Sequence, residues 1–102
     1  MDGPITLKDY IEYGQGSVVS KTLKENKAGT MTLFAFDGGQ GLSEHSAPFD
    51  AVVLVIEGEG RFTIGGVEHN LEAGQLIIMP ANVPHAVKAV RKFKMLLTML
   101  RA

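Results

Sequence analysis

Three histidines, His45, His69 and His85, are the side chains of this chain best suited to hold a metal or move a proton near neutral pH. No two of them sit at a local ligand spacing. His45 follows a glycine-rich loop and precedes an apolar strand, and His85 follows a loop bracketed by Pro80 and Pro84 and opens another. Forty residues separate the two, so they meet only if two strand entries lie side by side in a barrel. Thiol chemistry, disulfides and zinc fingers are excluded because the chain has no cysteine. No nucleophile with an adjacent base stands out, which argues against acyl transfer through a covalent intermediate.

The elements that would position these residues are short. Thr6 to Tyr13 reads as a helix with Thr6 as N-cap and Gly14 and Gly16 ending it. Ser17 to Leu23 is strand-like, residues 25–29 are a turn, and Thr30 to Phe36 alternates as a strand rich in β-branched and aromatic residues. Residues 37–41 form a glycine loop. Val52 to Glu57 is a strand stopped by Gly58-Glu59-Gly60. Arg61 to Ile64 and Val67 to Leu71 form a hairpin about Gly65-Gly66. Gln75 to Met79 is a strand, as are His85 to Val90 and Phe93 to Leu100, with Arg91-Lys92 as the turn between the last two. About eight short strands at regular spacing, with no helix long enough for a βαβ unit, predict an all-β sandwich or barrel.

Length and composition agree. At 102 residues and 11.0 kDa the chain forms one domain. With 45% hydrophobic and 21% charged residues it is no disordered tail. Its longest near-continuous apolar run, Ala51 to Ile56, is far below the roughly 20 residues of a bilayer helix. Met-Asp-Gly-Pro opens no secretory signal, so a cytoplasmic protein is expected. A net charge of −1 points to neither nucleic acid nor a membrane as partner. The basic stretch Lys88–Lys94 reads as solvated hairpin tips, with an anion-binding rim as the lesser alternative.

The motifs around the histidines resemble those of the cupins, a family of small antiparallel jelly-roll barrels. In the first cupin motif a glycine precedes a His-x-His pair by five residues, a glutamate follows, and a glycine closes the motif. Here Gly39 is followed by five residues and then His45, and Gly58 closes the strand. In the second motif a glycine, five residues and Pro-x-Gly precede a histidine. Here Gly74 is followed after five residues by Pro80, then Asn82 in the glycine position, then His85. Asn tolerates the left-handed conformation that glycine would supply. The fifteen residues between Gly58 and Gly74 match the short spacer of small microbial cupins. The resemblance covers roughly residues 30–100. It implies an all-β cupin-type jelly-roll barrel over residues 30–102, preceded by an N-terminal helix and strand extension over 1–29 at a dimer interface.

The departures bear on function. Family members bind a divalent metal through both histidines of His-x-His, the glutamate and the second-motif histidine. Ala47 and Ala51 occupy two of those positions, and only His45 and His85 match. The resemblance implies a divalent transition metal (zinc, iron, manganese or nickel) on His45 and His85. A third ligand would have to be recruited from Asp50, beside the lost glutamate, or from His69, which shares a face with Leu71. Glu44, beside His45, and Asp50 both point away from the matched positions on a regular strand, and a bulge before Val52 would re-aim Asp50.

The two alanines leave a roomier, less charged pocket. Val53 and Val55 continue the parity of Ala51 and are expected to line it with Ala47, Ala51 and Met79. Phe34, Phe36, Phe62, Ile64, Met95 and Met99 are available as further wall or as core. Val52, Leu54 and Ile56 point the other way, so this strand needs cover on both faces. The N-terminal segment Met1–Leu23 or a second subunit would provide it, and cupins commonly form homodimers. The expected function is therefore a small organic ligand bound in the barrel, with or without a weakly held metal. A metal-dependent dioxygenase or isomerase is the first alternative. The second is a structural or regulatory dimer with a filled barrel.

Overall fold

The computed structural model describes residues 3–101. Seven strands follow a single 3-10 turn at Leu7–Asp9: β1 (Val18–Asn26), β2 (Gly29–Phe36), β3 (Gly41–His45), β4 (Asp50–Ile64), β5 (Val67–Glu72), β6 (Leu76–Met79) and β7 (His85–Leu100). All strand pairs are antiparallel. The expected eight strands become seven because two pairs of segments are each one strand, while β3 emerges from residues read as loop and connection.

β4 and β7 run alongside each other from Asp50↔Leu100 to Ile64↔His85. Their far edges change partners along the way. The Asp50 half of β4 pairs with β6 and the Ile64 half with β5. The Leu100 half of β7 pairs with β2, which carries β1, and the His85 half with β3. The result is two sheets, β1-β2-β7-β4-β6 and β3-β7-β4-β5, joined through the two long strands in a jelly roll.

The joint lies where turns were expected. Register shifts between Val55 and Gly60 bend β4 without ending it. Gly58 has φ +76, and a Cβ there would come within 2.0 Å of the Lys92 carbonyl oxygen. A Cβ on Gly60 would meet the Phe93 ring at 2.7 Å. These glycines therefore serve a close crossing inside a continuous strand. Arg91-Lys92 is likewise part of β7, so the basic run Lys88–Lys94 is not a hairpin tip. The true hairpin is Gly65-Gly66, with φ +56 and +84, which joins Ile64 to its register partner Val67.

Aromatic rings fill one end of the space between the sheets. Phe36 and Phe93 stack at 4.6 Å, and Phe62 meets Phe93 edge-on at 5.9 Å. Val53 and Val55 are fully buried against this cluster. The outer face of the first sheet has its own cover. Ile11, only 3% exposed, packs with Leu7, Tyr10 and Tyr13 over Leu33, Ala35, Ile56 and Leu96. Burying a side chain the size of Ile11 contributes about 1.5–3 kcal/mol.

The N-terminal segment thus covers Ile56 within the same chain, although it forms one 3-10 turn where an eight-residue helix was expected. It is also no separate appendage, since β1 pairs with β2 from Val18↔Phe36 to Asn26↔Gly29. Met1 and Asp2 of this segment, and Ala102, lie outside the described residues. Among the described residues no helix is long and apolar enough to cross a membrane.

Candidate ligand site at the paired histidines

Two loops at one end of the barrel place the histidines. The β3–β4 connection and the β6–β7 loop are tied together by Asn82, whose backbone N–H donates to the Ala47 carbonyl at 2.7 Å. Asn82 itself takes φ 66, so it adopts the left-handed conformation. Asp50 Oδ1 accepts from the Ala81 backbone N–H at 2.8 Å. β3 and the start of β7 then pair His45 directly with His85.

The two rings sit 4.4 Å apart by centroid, tilted by 73°, with Nε2 to Nε2 at 3.1 Å. Each Nδ1 faces a backbone carbonyl, Ser43 at 2.7 Å for His45 and Val83 at 3.2 Å for His85. A carbonyl can only accept, so each Nδ1 carries a proton. In the neutral rings both Nε2 atoms then hold lone pairs, 3.1 Å from one another. His85 is 5% exposed, whereas His45 is exposed. Burial, and secondarily the His45 charge, hold His85 below the usual histidine pKa, against a smaller upward effect of the Val83 carbonyl.

The pair lies at the edge of a cavity of about 170 Å³ between the sheets. Ala47, Ala51 and Met79 form one wall, Phe34, Met95, Leu97 and Met99 another, and Leu42 and Val87 close the side beneath the rings. Ala51 and Met79 are direct register partners. Val53 and Val55 face inward as expected from their parity, but they belong to the sealed aromatic end and do not line this cavity.

The proposed third ligands are not brought in. Asp50 is exposed and engaged with Ala81, and Glu44 is exposed. His69 shares the face of its register partner Phe62 on β5 but lies exposed, with β4 and β7 between it and β3. Among the described residues no three metal-binding side chains cluster. Resident catalytic zinc takes three protein ligands, and non-haem iron takes two histidines and a carboxylate. Two imidazoles fall short of either set.

Sequence reasoning missed Leu42, Val87 and Leu97. Leu42 was hidden because β3 is only five residues long and follows a glycine loop. Val87 was legible, since it shares the parity of His85 two residues earlier. Leu97 sits between Met95 and Met99 with the same parity.

A small antiparallel jelly roll with two histidines on adjoining strand ends defines the class of protein. A family model described as the cupin domain matches residues 32–100, and the chain belongs to this family. Among solved structures, a conserved protein of unknown function from Streptococcus pyogenes is 33% identical with a TM-score of 0.94, covering 100% of this chain and 90% of that one. A cupin superfamily protein from Desulfitobacterium hafniense is 27% identical with a TM-score of 0.94, covering 100% and 94%. A cupin 2 conserved barrel domain protein from Leptotrichia buccalis is 38% identical with a TM-score of 0.92, and the match covers 95% of this chain and 47% of that one. No curated protein matches the chain.

Proposed function

We propose that this protein is a small-molecule-binding cupin that holds an organic ligand in its barrel, with His45 and His85 as the polar end of the site. One observation carries this reading. An apolar cavity of about 170 Å³ is edged by two convergent imidazole nitrogens. A concave, mostly apolar space with a few placed polar groups is the usual form of a small-ligand site. Methionine walls, here Met79, Met95 and Met99, adapt to ligand shape.

The proposal needs no resident metal. A divalent ion held by the two Nε2 atoms alone would be weakly bound, and it enters only as an accessory. The metal-dependent dioxygenase or isomerase is correspondingly less supported, because Ala47 and Ala51 leave two family ligand positions without a donor.

A thermal-shift screen of small organic compounds tests the proposal. Binders should raise the melting temperature of the wild type by an amount that grows with ligand concentration. Ala51→Leu, which fills the cavity from one wall, should abolish the rise. A screen in which no compound shifts the wild type, or in which Ala51→Leu responds equally, would reject it.

A further inference from the structure

The contact between His45 and His85 is not a hydrogen bond when both rings are neutral. Each Nδ1–H is committed to a backbone carbonyl, Ser43 or Val83, so neither Nε2 has a proton to give. Two lone pairs 3.1 Å apart at the edge of an apolar cavity repel each other, and one donor placed between them satisfies both. A donor brought by the ligand relieves the repulsion, because the two acceptors converge on one point at the cavity edge.

We infer that the cavity selects a small neutral hydroxyl compound, of the size of a monocyclic phenol, whose O–H donates between the two Nε2 atoms while its apolar body lies against Ala51 and Met79. This inference rests on the ligand-binding reading above and names the ligand class of that same site.

Size and geometry support the class. An apolar cavity near 150 Å³ accommodates benzene, and this one is about 170 Å³. A hydroxyl oxygen at about 2.9 Å from both nitrogens directs one hydrogen into both lone pairs, a three-centre bond. An ammonium donor fits less well, because its charge would lose its hydration in an apolar space. A carboxylate is an acceptor only, so it would set its charge against two lone pairs and lose its hydration in an apolar space.

The test compares phenol, toluene and benzoate, measured by calorimetry at pH 8 with chelator present, on the wild type, His45→Leu and His85→Leu. Phenol should bind the wild type about tenfold tighter than toluene, and benzoate should not bind at the same concentrations. His45→Leu changes the more exposed ring and serves if His85→Leu fails to fold. Either variant should lose the phenol advantage and keep toluene binding. Imidazole ¹⁵N spectra of the free protein should show both Nε2 unprotonated, and phenol should move those resonances.

Benzoate binding as well as phenol, equal affinity for phenol and toluene, or an Nε2–H in the free protein would each overturn the inference. So would a phenol preference that persists in His45→Leu. In the first two cases ligand binding by the barrel still stands. If none of the three probes binds, the inference falls, and the thermal-shift screen alone decides the ligand-binding reading.

Discussion

The Nε2 atoms of His45 and His85 lie 3.1 Å apart, although forty residues separate the two in the chain. Their partner strands are direct neighbours at this point, and the Asn82–Ala47 bond clasps the loops beside them. The tautomer of the pair follows from that placement, since each Nδ1 faces a backbone carbonyl.

Acid should weaken the fold through His85. Its folded pKa lies below the unfolded value of about 6.5. Between the two values the unfolded chain binds more protons, so stability falls as pH falls. The contribution is complete above about pH 6.5 and is lost as pH drops through the folded value. Melting temperatures between pH 7.5 and 5 should fall more steeply for the wild type than for His85→Gln, and parallel slopes would contradict this assignment.

Restoring the two missing donors should create a metal site. Ala51→Glu places a carboxyl at a residue that is 2% exposed, and Ala47→His adds a third imidazole at the cavity wall. Without metal the double variant should lose roughly 3 kcal/mol of stability, from burial of an unpaired polar group. Zinc or cobalt should recover that loss, and cobalt absorption should report the bound ion. The wild type should show neither effect at the same metal concentration.

Gly58→Ala should be among the most damaging small substitutions. It combines positive φ with a Cβ 2.0 Å from the Lys92 carbonyl oxygen, and the obstacle is backbone, so it cannot swing aside. A loss of about 2–4 kcal/mol is expected. Gly66→Ala also has positive φ but open space around it, and should cost about 1 kcal/mol. Urea denaturation of both variants measures the difference.

The N-terminal segment should be held on the barrel by Lys94. Its ammonium, on a residue 7% exposed, donates to the Lys8 carbonyl, lies 3.8 Å from Glu57 Oε2, and faces the Tyr13 ring at 4.9 Å. The Tyr13 hydroxyl donates to the same Glu57 oxygen. Burial, followed by Glu57, pushes the Tyr13 pKa up, so this hydroxyl stays protonated. Lys94→Met should leave the Lys8 carbonyl without its donor and cost about 1–3 kcal/mol. Hydrogen exchange over residues 3–16 should speed up while β4 and β7 keep their protection.

A second copy of the chain is the expected partner of the remaining outer face. Leu76 and Ile78 are more than half exposed and pair with Leu54 and Val52, and Met31 lies across β7 from them on the same face. This apolar surface lies outside the strip covered by Ile11 and its neighbours. Sedimentation should show a dimer at tens of micromolar, and Ile78→Lys should convert it to a monomer.

Much of the architecture could be read from the chain. Alternation in residues 30–36 and 52–57 and the Gly65-Gly66 pair pointed to a small β-sandwich or barrel, and the resemblance of the Gly39, His45, Gly74, Pro80 and His85 spacing to cupin motifs implied the jelly roll and named both paired histidines. These signals are local, and a strand, a tight turn or a left-handed asparagine is specified by neighbours in sequence. The same logic misread Gly58–Gly60 and Arg91-Lys92 as turns, because a bend inside a strand and a turn between strands use the same residues. Only the continuous pairing of β4 with β7 distinguishes them. Parity placed Val53 and Val55 inward, but the Phe36–Phe62–Phe93 cluster decided that they are sealed while Ala51 and Met79 border open space. His69 has the right chemistry and the wrong strand. Which inward residues fill the barrel, and which donors converge, depends on sheet order and side-chain volume summed across distant strands, and tertiary packing alone determines that.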